Sequence, residues 1–108
     1  MRDLVVEAKN IKNGIMLKLK GELMFVDAQE FMLKTPERVK GKGKNVVLDM
    51  DDLRFIDSSG LGSMLYVSQA CKMQDQTMYI VRANDKVAKS LKTIKKVGTF
   101  ELHDPVVE

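Results

Sequence analysis

The segment Val46-Val47-Leu48-Asp49-Met50 constrains the fold more than any other part of the chain. It is β-branched, mostly apolar and too short for an ordinary helix. Neither face of such a strand can be left in water, so it predicts a central strand of a sheet, covered on both sides. Central strands of this kind are reached through crossover connections, which are normally helices. An α/β architecture follows, provided the flanking sequence supplies the strands and helices.

It does. Leu4–Lys9, with Val5, Val6 and Ala8, and Ile15–Lys20, which ends in apolar/polar alternation, read as two strands. Asn10–Gly14, with Asn13-Gly14 at its end, joins them as a hairpin, because both residue types tolerate positive φ. After Gly21-Glu22-Leu23 a helix is expected, with Asp27 and Glu30 in a capping arrangement and Ala28, Phe31 and Met32 on one face. Pro36 is expected to kink this helix, or to stop it and restart it. Gly41–Asn45 reads as a loop, Asp51-Asp52 as a turn, and Phe55-Ile56 as a return to the interior. Leu61, Met64, Leu65 and Cys71 then recur at helical spacing to about Gln74. Thr77–Arg82 is a further strand. Asn84-Asp85 opens a helix with Val87, Leu91 and Ile94 inside and lysines outside, and Gly98 closes it. Phe100–His103 is a last short strand. The order ββαβαβαβ predicts one domain over residues 1–108, with a mixed sheet that opens on an antiparallel hairpin and continues through parallel crossovers.

Composition narrows the functional classes. The 108 residues are 44% hydrophobic and 31% charged, which is globular rather than disordered. Cys71 is the only cysteine, so no internal disulfide is possible, which suits a reducing cytoplasm. The opening Met1–Glu7 lacks the apolar stretch of a secretory signal, with charge appearing immediately, and no stretch approaches the roughly 18 apolar residues of a membrane span. Net charge is +3, but aromatic content is 6% and there is no Trp for base stacking. The lysines, spread at helix-like intervals, therefore read as solvated faces rather than a nucleic-acid surface, with an acidic protein partner as the alternative.

The chemistry concentrates in Val46–Leu65, where a strand leads into Asp57-Ser58-Ser59-Gly60 at the start of a helix. Ser59 is expected to cap that helix. Ser58 lies one step earlier and is expected to be exposed, where an added phosphate would face the positive end of the helix dipole. Gly60 and Gly62 would let backbone or a partner approach closely. Catalysis fits poorly, because the only histidine, His103, lies far along the chain from Ser58. Ile56 stands where a nucleophile elbow would need its first glycine, and Gly60-Leu61-Gly62-Ser63 lacks the Gly-Lys-Ser/Thr of a phosphate-binding loop. Asp49, Asp51, Asp52 and Asp57 could be imagined around Mg²⁺, but turn formation and dipole compensation explain them more cheaply, so neither a metal nor a cofactor is expected.

Residues 46–65 resemble the signature of STAS domains, in particular of bacterial anti-sigma factor antagonists: an apolar strand, an Asp-Leu stretch, then Asp57-Ser58-Ser59-Gly60-Leu61-Gly62. The likeness extends to the opening hairpin, the Gly21-Glu22-Leu23 turn and the Lys86–Gly98 helix. It implies partner switching. The unmodified antagonist binds an anti-sigma factor that is also a serine kinase with a histidine-kinase-like ATP fold, and the sigma factor is released. The kinase phosphorylates the first serine after the Asp, here Ser58, and the antagonist lets go; a metal-dependent serine phosphatase resets it. By the same resemblance Asp57, Ser59, Gly60, Leu61 and Gly62 belong to the partner-binding surface of a protein that does no catalysis itself; a cytoplasmic monomer is expected. The sequence departs from the family at Met24, where an Asp often follows the Gly-x-Leu turn, and in its basic balance. Met24 is expected to be an exposed apolar contact beside Ser58, and Phe25 to be core. Competing readings are a STAS subunit of another assembly, such as a stressosome or a lipid-transport accessory protein, and a nucleotide-binding protein using the helix start after Gly60 as an anion cradle.

Overall fold

A computed structural model describes residues 3–95 and 100–103. Its elements follow the expected order: β1 (Leu4–Ile11), β2 (Gly14–Leu23), α1 (Phe25–Val39), β3 (Asn45–Ile56), α2 (Ser58–Met73), β4 (Thr77–Val81), α3 (Asp85–Ile94) and β5 (Phe100–His103). They form one five-stranded sheet in the order β1-β2-β3-β4-β5, with β1 antiparallel to β2 and every other pair parallel. The hairpin turn is tighter than expected. Lys12 and Asn13 alone form it, and Asn13 takes the positive φ of 57° that its short polar side chain tolerates.

All three helices pack on one face of the sheet. Ile15, Leu17 and Leu19 of β2, Val46, Leu48 and Met50 of β3, and Met78 and Ile80 of β4 share a single buried cluster with residues of every helix. Among these are Phe31 and Val39 of α1, Met64, Val67 and Cys71 of α2, and Val87 and Leu91 of α3. The other face of β3 is buried without a helix. Val47 and Asp49 point there, and the Arg82 guanidinium lies on the Asp49 carboxylate, its Nε donating to Oδ1 at 3.1 Å. Arg82 has φ 60°, unusual for a side chain of its size, and this backbone turns the chain from β4 toward α3. Two-sided cover of the central strand thus comes from helices on one side and an ion pair on the other.

Several local expectations are overturned. Asp51-Asp52 is not a turn: β3 runs unbroken for 12 residues, with two register shifts against β2. Each shift adds a residue to β3, so Met50, Leu53 and Ile56 all reach the core despite a spacing of three. Pro36 does not stop α1, which continues through it to Val39; having no N–H, the proline costs the helix one hydrogen bond, the one the Met32 carbonyl would accept, near the C-terminal end. Asp27 does not cap α1. Met24 occupies the cap position with no side-chain bond, while the buried Asp27 carboxylate accepts from the Asp3 N–H at 3.1 Å and ties β1 to the helix. Phe25, expected in the core, is 76% exposed, because α1 begins there and its apolar face is the 28-31-35-39 row. The proposed helix end at Gly98 lies outside the described residues.

Candidate functional site

The site lies where β2 and β3 end together. The Asp57 N–H donates to the Leu23 carbonyl at 3.2 Å, so the starts of α1 and α2 are held side by side. A single carboxylate then serves both. Asp57 Oδ1 accepts from the Gly60 N–H of α2 at 2.8 Å, and Oδ2 accepts from the Phe25 N–H of α1 at 3.0 Å. Each helix start has unpaired N–H groups and a partial positive charge, so a carboxylate shared between two of them is favourable for both. The cap of α2 is therefore Asp57 and not Ser59, as sequence reasoning had it. Ser59 falls inside the first turn and is half-buried.

Ser58 is the first residue of α2, and it is exposed. Gly60 and Gly62 divide into two roles. A Cβ at Gly60 would stand 2.3 Å from the Leu23 carbonyl oxygen and 2.7 Å from Ile56 Cγ1, so this glycine is demanded by the packing of α2 against the strand ends. Gly62 is exposed, and a Cβ there would meet nothing within 4 Å. Leu61 is half-buried against the core, and Met24 is half-buried beside the shared carboxylate. Sequence reasoning missed Phe25 and Val26, which stand 76% and 63% exposed at the start of α1, next to Asp57. A helix start placed one residue after Met24 would have revealed them.

His103 belongs to β5, the edge strand two places from β3, and its backbone pairs with Val81. Among the described residues no group of three acidic, histidine or cysteine side chains is placed to hold a metal. Asp49, the one acid of the sequence cluster that is buried, is committed to Arg82 and to the Asp51 N–H. No helix among the described residues is long and apolar enough to cross a membrane.

A mixed sheet with helices on one face, and two helix starts gathered around one carboxylate beside an exposed serine, define a small α/β domain. The family model for the STAS domain matches residues 5–108, and the chain belongs to that family. Among solved structures it is similar to the anti-sigma factor antagonist SpoIIAA in its unphosphorylated form, with a TM-score of 0.71 at 15% identity, covering 94% of this chain and 90% of that one. An anti-sigma factor antagonist from Mycobacterium paratuberculosis gives 0.72 at 15% identity, covering 95% and 87%. The murine solute carrier 26 family member A9 anion transporter gives 0.77 at 13% identity, where this chain's 99% corresponds to 21% of the transporter. At such identities these likenesses establish the fold. No curated protein sequence matches the chain.

Proposed function

We propose that this protein is an anti-sigma factor antagonist that works by partner switching, with Ser58 as the phosphorylated residue. The observation that carries the reading is the exposed Ser58 hydroxyl at the head of α2, directly after a carboxylate that already satisfies the helix start. Unmodified, with an uncharged hydroxyl at Ser58, this head docks on an anti-sigma factor that is itself a serine kinase, and the sigma factor is freed. The kinase transfers phosphate to Ser58, and a metal-dependent phosphatase removes it in the cytoplasm. The antagonist acts as a monomer and performs no catalysis. Phosphate adds roughly two negative charges beside the Asp57 carboxylate. The fold tolerates them, since Ser58 is solvated and lies at the positive end of α2. A docked protein does not, because a charge stripped of water and left unpaired at an interface costs several kcal/mol.

The test is to incubate the protein with ATP, Mg²⁺ and each serine kinase of the histidine-kinase-like fold made by the same cells. One kinase is expected to add a single phosphate to the wild type and none to Ser58→Ala. Uptake by Ser58→Ala at the normal rate would remove the site assignment. The transporter likeness favours a second reading, a STAS subunit of a membrane assembly; there, tagged protein would co-purify with membranes and no kinase of the panel would bind it.

A further inference from the structure

We infer that the partner's footprint does not end at Ser58 but runs the length of α2, along an exposed uncharged stripe formed by Ser58, Gly62, Tyr66, Gln69 and Met73. This rests on the partner-switching reading and extends it. The five residues recur at intervals of four, four, three and four, which places them on one line down a helix, and all five are exposed. From Ser58 to Met73 the helix rises about 22 Å at 1.5 Å per residue.

Three observations set this face apart. The outward face of a helix in water is ordinarily charged, yet Lys72 is the only charged residue in all of α2. On α1, by contrast, Glu30, Lys34, Glu37 and Arg38 occur, and on α3 Lys86, Lys89 and Lys92. The side chains that replace charge are Tyr66, 51% exposed, and Met73, 80% exposed. Loss of charge with gain of Tyr and Met is the composition of the centre of a protein interface. Finally, Gly62 lies mid-stripe in a helix where glycine is unfavourable, and no atom of its own fold requires it. A bare backbone there serves a surface that comes from outside.

The occupant is the kinase partner, through an apolar seat with an acidic rim. Gln74 Nε2 donates to the Pro36 carbonyl and Gln76 Nε2 to those of Val39 and Gly43, which brings the end of α1 and its following loop to the end of α2. Lys40, Lys42 and Lys72, all exposed, therefore lie at the same end of the domain as Met73, with Asp75 there paired to Lys44 at 3.7 Å. The contact is bipartite: an apolar anchor at Tyr66 and Met73, with basic residues beside it, and a charge-sensitive gate at Ser58. Phosphorylation closes the gate and leaves the anchor.

The test uses the kinase that modifies Ser58 and measures its affinity for the full chain by titration calorimetry. Met73→Glu and Gln69→Glu are each expected to weaken binding at least tenfold, with circular dichroism and melting temperature kept, while Lys89→Glu on α3 changes nothing. Because Ser58 and Met73 lie far apart, their effects act independently; the fold-changes of Ser58→Asp and Met73→Glu multiply to within about twofold in the double variant. Wild-type affinity in both Met73→Glu and Gln69→Glu would overturn the footprint while leaving the Ser58 switch intact. Absence of any binding kinase would remove the switch and the footprint together. A wild-type dimer in sedimentation that Met73→Glu abolishes would assign the stripe to a second copy and overturn it as well.

Discussion

Replacing Gly60 and Gly62 with alanine, one at a time, separates the fold's demands from the partner's. Both changes add one methyl group to the same helix, two residues apart, so intrinsic propensity alone would stabilise both by about 0.5–1 kcal/mol. At Gly62 nothing opposes that gain, because the new Cβ meets no atom within 4 Å. For a domain of this size 1 kcal/mol moves the melting temperature by about 4–8 °C, so Gly62→Ala is expected to melt a few degrees higher. At Gly60 the Cβ would sit 2.3 Å from the Leu23 carbonyl oxygen. That oxygen also accepts the Asp57 N–H, so moving it loosens the residue that caps both helices. Overpacking of this kind costs about 1–3 kcal/mol, which outweighs the propensity gain. Gly60→Ala is therefore expected to melt below wild type, and urea titrations of the three proteins should give the same order. A Gly60→Ala protein as stable as Gly62→Ala would refute the packing role given to Gly60, and a destabilised Gly62→Ala would refute the claim that only an outside surface needs that position bare.

Asp57→Ala should lose about 1–2 kcal/mol, the value of a strong helix cap, with amide exchange accelerated at the starts of both α1 and α2; acceleration at α2 alone would refute the shared cap. Gln76→Leu should cost about 1–3 kcal/mol or more in urea unfolding, since the Val39 and Gly43 carbonyls lose their donor. Asp49 predicts a pH dependence. Burial raises its carboxyl, but the Arg82 hydrogen bonds, the Asp51 N–H and the charges of Arg82 and Lys18 outweigh this and hold it below the ordinary 3.8. A folded value below the unfolded one gives stability that is present above about pH 4 and lost as pH falls through the folded value. Asp49→Asn should therefore be less stable than wild type at neutral pH, and the gap should narrow in acid; a constant gap would refute the ion pair's role.

The order of elements was legible because each is announced locally: alternation in β2, turn chemistry at Asn13, a capping Asn84 whose side chain does accept from the Val87 N–H at 2.8 Å. What was misread depends on contacts between distant segments. Leu53 and Ile56 follow Met50 at intervals of three, which breaks strand periodicity unless two bulges are known, and bulges are set by the partner strand. Asp27 looks like a cap in sequence, yet its carboxylate is used by Asp3, 24 residues away. The site showed the same division. Exposure of Ser58 could be read from its place before the apolar row of α2. That Asp57 caps two helices could not, because Phe25 is 32 residues distant. The difference between Gly60 and Gly62 was equally hidden, since only the first lies against β2's end.

The most direct measurement is the affinity of the cognate kinase for unmodified protein and for protein phosphorylated at Ser58, each verified by intact mass. A lost contribution of about 3–4 kcal/mol corresponds to a few hundred-fold, and that weakening is expected, with the melting temperature of the free protein nearly unchanged. Equal affinity for the two forms, or a phosphorylated protein that no longer folds, would contradict the account.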